Sequence, residues 1–124
     1  MNKNTVDQEI RLAYEALYDA EIVNDGKIEK TYRGQISSFG AAITMGSLLS
    51  AIAFFSQDGG SDVSRSNLMK AILIVLKKKG LAEESVQTLF DYAKSLGEER
   101  CKEEILNAAI ALKLSMNLYE LVKK

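Results

Sequence analysis

The chain has no histidine, no proline and no tryptophan, and its one cysteine is Cys101. Each absence removes a class of function. Without histidine there is no Ser-His or Cys-His pair and no imidazole metal ligand, so the commonest general base is missing. A lone cysteine cannot close an internal disulfide, and nothing points to secretion. The stretch MNKNTVDQEI lacks the apolar segment of a signal peptide, and a cytoplasmic location is expected. The absence of proline leaves long helices uninterrupted. No catalytic residue, no metal site and no cofactor is expected, and the chain reads as a non-enzyme.

What is present fits an ordinary globular domain. There are 124 residues, 47% hydrophobic and 27% charged, with a net charge of −1. That length supports one core, so residues 1–124 are expected to form a single all-helical domain. Val6, Ile10, Ala13, Tyr14 and Leu17 recur at helical spacing behind Thr5-Val6-Asp7-Gln8, which has the form of a capping box. Asn24-Asp25-Gly26 should end that first helix. Lys77-Lys78-Lys79-Gly80 reads as a helix C-terminus, and Ser61 or Asp62 as the cap that opens the same segment. A further helix is expected from about Ala82 to Leu96, and a last one from Glu98 almost to the C-terminus. Nothing alternates with period two, so the fold class is all-α, a compact bundle of five or six helices.

The stretch from Gly34 to Gln57 holds 24 residues without a charge. Its hydroxyl-bearing residues and its short apolar part, Leu48 to Phe55, argue against a membrane span. An unbroken helix from Lys27 to Gln57 would be about 46 Å long, too long for this domain. A break is expected at Ser38-Phe39-Gly40. A central buried helix would then cover Ala41–Ser56, with Leu48, Leu49, Ile52, Phe54 and Phe55 in the core. Gly34, Gly40 and Gly46 read as points of close helix packing. Cys101, set among acidic residues in EERCKEE, reads as a surface or half-buried residue, and the nearby glutamates as a helix N-terminus.

Charge is unevenly distributed. Residues 1–26 carry −4, residues 27–79 carry +5 and residues 80–124 carry −2. A basic middle between acidic ends is either a phosphate-facing patch or a set of solvated helix faces.

The uncharged stretch also carries a set of short motifs. Tyr32-Arg33, Phe39-Gly40, Gly46-Ser47-Leu48 and Ile52-Ala53-Phe54-Phe55 follow one another in a characteristic order and spacing. In this the chain resembles the small helical subunit of type III-B CRISPR effector (Cmr) complexes, whose members show Tyr-Arg, Leu-Pro, Asn-Gly-Leu and Leu-Ala-Phe-Leu. Asp7-Gln8, Arg11 and Ala13-Tyr14 resemble that family's opening helix, and Leu112-Lys113 its closing one. Gly40 stands where the family has Pro, Gly46-Ser47 where it has Asn-Gly, and Leu114 where an Arg is usual.

The resemblance implies an all-α bundle without catalytic activity that helps hold a guide RNA and its paired target RNA in antiviral defence. Its partners would be the other Cmr effector subunits, the two RNAs and copies of itself along a filament. Lys30, Arg33, Lys70, Lys77 and Lys78, with Lys113, are then the candidate RNA-facing residues. Two alternatives stand beside this reading. One is a helix-turn-helix DNA-binding regulator built on LKKKGLAEESVQTLFDYAK. The other is a helical adaptor that binds only proteins.

Overall fold

The computed structural model describes residues 3–58 and 64–123, with the side chain of Leu96 outside the described set. In chain order the elements are α1 (Lys3–Asp19), β1 (Lys27–Glu29), α2 (Lys30–Met45), α3 (Leu48–Phe55), α4 (Arg65–Lys78), α5 (Leu89–Leu96), α6 (Glu98–Met116) and β2 (Glu120–Val122). The expected all-α bundle forms, with six helices among the described residues where five or six were expected. One continuous core joins all the helices. Among the described residues no helix is long and apolar enough to cross a membrane.

The centre of the bundle is α6, not the uncharged stretch. It packs against α1, α2, α4 and α5. Cys101, Ile105, Ala108, Ala111 and Leu112 are buried along it, and Ala109 and Ser115 widen that stripe so that little of the helix is free. Cys101 belongs to this stripe and is fully buried, its thiol directed at the Tyr92 carbonyl oxygen 3.6 Å away. The surface position expected for it is therefore corrected: acidic neighbours in sequence are not neighbours on a helix face.

The uncharged stretch instead makes two amphipathic helices. The inward stripe of α2 is Tyr32, Ile36, Phe39 and Ile43, at alternating spacings of four and three. That of α3 is Leu48, Ala51, Ile52 and Phe55. Phe54 lies off this stripe and is 57% exposed, so its expected burial is corrected. Its ring lies under the Arg65 guanidinium, 4.6 Å from the centroid.

The break also falls later than expected. The helix runs straight through Ser38-Phe39-Gly40 and stops at Gly46-Ser47. Ser38 has no reason to cap where the inward stripe continues at Phe39. At Gly46 a Cβ would sit 3.0 Å from the Ala42 carbonyl oxygen, a tight contact that favours a residue without a side chain at this turn. A Cβ at Gly34 or Gly40 would meet nothing within 4 Å, so these two are not points of close packing. Ser47 then opens α3, its hydroxyl accepting from the Ser50 N–H at 3.3 Å. The Glu98 carboxylate, from the first turn of α6, accepts from the Leu48 N–H at 2.8 Å.

Helix ends follow backbone hydrogen-bonding needs. Gly80, at φ +82, closes α4 in a Schellman motif: its N–H bonds to Lys77 O, and the Leu81 N–H to Leu76 O. The C-terminus expected there is found. Asp58, rather than a residue just before the helix, caps the start of α4. Its carboxylate accepts from the Ser66 N–H at 2.9 Å and from the hydroxyls of Ser64 and Ser66. The expected caps Ser61 and Asp62 lie outside the described residues. Thr5 is inside α1 and not its cap. The helix expected from Ala82 begins only at Leu89, because residues 79–88 form an irregular connection. That connection is too long for the three- to four-residue turn of a helix-turn-helix.

Two strands of three residues each were not foreseen. Lys27, Ile28 and Glu29 pair in parallel with Glu120, Leu121 and Val122. They tie the C-terminal segment to the start of α2, with Ile28 fully buried beneath them. The Tyr119 hydroxyl donates to Tyr14 O at 3.0 Å, and the two rings stack 4.5 Å apart, which fixes the entry to β2.

Candidate nucleic-acid interface

Because one stripe of α2 is buried, its other side is left to the surface. Gly34, Ser37, Ser38, Ala41 and Thr44 are exposed there, all small. The Ser37 hydroxyl donates to Arg33 O at 3.2 Å and the Thr44 hydroxyl to Gly40 O at 2.9 Å, so both turn back on their own helix. The resulting floor is low and uncharged.

Two hollows border this floor and share Ser37. One, of about 540 Å³, lies between the start of α2 and the end of β2, and brings Lys30, Arg33 and Lys123 together. The other, of about 230 Å³, lies between α2 and α6 and includes Lys113. Among the described residues no carboxylate lines either hollow. None of these four cations has an ion-pair partner among the described residues. Arg33 Nε is buried and has no hydrogen-bond acceptor.

The other candidate cations lie apart from this trough. Lys70 lines a separate hollow between α4 and the segment before α5. Lys77 donates to Glu84 O at 3.1 Å, and Lys78 pairs with Asp19 at 3.6 Å. Next to them Lys79 reaches the fully buried Glu9 at 3.4 Å. The Glu9 carboxyl is raised above its ordinary value by burial, which outweighs the attraction of Lys79. The acidic first segment and the basic middle of the chain thus meet where α1 packs on α4, and the block charges partly cancel there.

Of the six sequence candidates, then, Lys30, Arg33 and Lys113 share one trough, and Lys70, Lys77 and Lys78 do not join it. Lys123 was missed. Within LVKK it reads as a partner of the α6 dipole, and only the three-residue strand β2 carries it to α2. Among the described residues no group of three metal-ligating side chains occurs. The trough offers cationic donors over a floor of small uncharged residues, an arrangement suited to phosphates. The chain matches no family model, no curated protein and no solved structure.

Proposed function

We propose that the chain is a non-catalytic helical subunit of an RNA-guided effector assembly in the cytoplasm, of the type III-B (Cmr) kind that it resembles. In this reading the α2–α6 trough lies against the sugar-phosphate backbone of the guide–target duplex. Base pairing supplies sequence recognition, so the subunit needs only to engage phosphates. The observation that carries the reading is the trough holding Lys30, Arg33, Lys113 and Lys123, with no carboxylate among its described lining residues. The small-residue floor supports it, because it lets a backbone approach without displacing side chains.

The test belongs in the assembled complex, since one subunit can engage few phosphates. Arg33→Glu with Lys113→Glu is introduced, co-elution of all subunits is verified, and target-RNA affinity is measured against salt. Affinity should fall alike for all target sequences. The slope of log K against log salt should decrease by about one unit for each phosphate that is no longer neutralised. Lys77→Glu, at a cation already engaged by a carbonyl, should leave the slope unchanged. Unchanged affinity and slope in the trough variant would leave the protein-only adaptor as the reading.

A further inference from the structure

A third hollow has no part in that reading. It holds about 190 Å³ and lies where the end of α3, the outer side of α4 and the segment leading into α5 meet. Its floor is Met69, Leu73 and Leu89, and its rim includes Lys70, Gln87 and Thr88. The rim is held in place, because the Thr88 hydroxyl accepts from the Asp91 N–H at 3.1 Å and so fixes the start of α5.

Size and chemistry narrow what fits. Cofactor and drug-like sites span roughly 300–1,000 Å³, so this hollow is too small for one. An apolar cavity of about 150 Å³ accepts benzene, so it has room for one medium-sized apolar side chain. Among the described residues no aromatic ring lines it, and a nucleobase would find no stacking surface there. The one charged residue of the lining is Lys70, exposed and without an ion pair among the described residues. Asp58 feels the charge of Lys70 but makes its hydrogen bonds to Ser64 and Ser66 at the start of α4.

We infer that this hollow is an anchor site for a partner protein: it takes one Leu or Met side chain from a segment that sets a carboxylate beside that anchor, within reach of Lys70. The floor excludes water around the anchor, and the ammonium selects the acidic neighbour. The site is separate from the trough and stands or falls independently of the RNA reading.

The test uses the full chain with isotope-labelled methyl groups and the amide of N-acetyl-leucyl-glutamate as the probe. Titration should shift the methyl signals of Met69, Leu73 and Leu89 saturably. The alanyl-glutamate analogue should bind roughly tenfold more weakly or worse, since it buries far less alkyl surface. Lys70→Glu should weaken the leucyl-glutamate probe roughly two- to fivefold and favour a leucyl-lysine probe instead. Gln87→Trp, at an exposed rim position, should block the shifts while the remaining spectrum is retained. The inference is overturned by equal binding of the leucyl and alanyl probes, by indifference to Lys70→Glu, or by no saturable shift with any probe up to its solubility. Stronger shifts of the same methyls by adenosine monophosphate would assign the hollow to a nucleotide and overturn it as well.

Discussion

Two basic regions of this molecule stand in opposite circumstances. At the end of α4 three consecutive lysines are all engaged, with Glu84 O, Asp19 and Glu9. Along the α2–α6 trough Lys30, Arg33, Lys113 and Lys123 have no acidic partner among the described residues. The difference shows that a run of like charges says little about a binding surface. The dense run is the one neutralised by the fold. The dispersed cations, on α2, on α6 and just after β2, are the ones left open to an anion.

The comparison is broken most forcefully at Lys79. Removing its ammonium leaves Glu9 fully buried without its partner. Lys79→Met should therefore cost roughly 3 kcal/mol at neutral pH, measured by urea unfolding. Arg33→Met, in the trough, should change stability by no more than about 0.5 kcal/mol. The pH dependence follows from the raised Glu9 carboxyl. Its folded pKa lies above the unfolded one, so its contribution is complete below the unfolded pKa and is lost as pH rises through the folded pKa. Lys79 opposes that loss. The penalty of Lys79→Met should thus be full at pH 7 and shrink as acid protonates Glu9. A penalty that did not change with pH would mean that Lys79 acts through packing alone.

The next effect is at Glu98, which anchors the α2–α3 turn to α6. Glu98→Ala should cost about 1 kcal/mol, since it frees the N–H of Leu48 at a helix start. Glu98→Gln, which retains an acceptor, should recover most of that stability. Asp58 is a second acidic cap, but an exposed one with its carboxyl held below the ordinary range by the Ser66 N–H and the two serine hydroxyls. Here the folded pKa is the lower one. The stabilisation is present above the unfolded pKa and is lost as pH falls through the folded pKa, so Asp58→Ala should matter at pH 7 and converge with the parent in acid. The two carboxyls are thus shifted in opposite directions, upward by burial at Glu9 and downward by hydrogen bonds at Asp58, although both substitutions should lose their effect in acid.

How much of this was legible follows from the range of each signal. Much of the inward stripe of α1 and the Gly80 terminus are local patterns, revealed by periodicity and by a single glycine, whereas the stripe of α2 went unread because a break was expected within it. The central role of α6 was hidden because it is flanked on several sides, and a helix with little free face has weak amphipathic contrast. The strands β1 and β2 are too short to alternate, and their partner lies across the whole chain. Glu98 at Leu48 and Asp58 at Ser66 are caps supplied from a distance, invisible to a rule that inspects the preceding residue. The trough was half legible. Lys30 and Arg33 share a helix face, but Lys113 and Lys123 join them only through tertiary packing.

The smallest effect concerns two helix ends with one geometry and different residues. Helix α4 closes on Gly80, and α1 closes in the same way on Glu21, at φ +64. The Glu21 N–H bonds to Tyr18 O and the Ile22 N–H to Leu17 O, the same pair of bonds that Gly80 and Leu81 make. A Cβ is unfavourable in this left-handed conformation by about 1 kcal/mol, whereas glycine adopts it freely. Glu21→Gly should therefore stabilise the protein by up to about 1 kcal/mol, and Gly80→Ala should destabilise it by a similar amount. No Cβ clash complicates the second change, because nothing lies within 4 Å of the added atom. Thermal unfolding of the two variants should move the midpoint in opposite directions by a few degrees. If Glu21→Gly instead lowered it, Glu21 would be making a favourable charge interaction at the end of α1 large enough to offset its backbone strain. Glu21→Gln would then reproduce the drop.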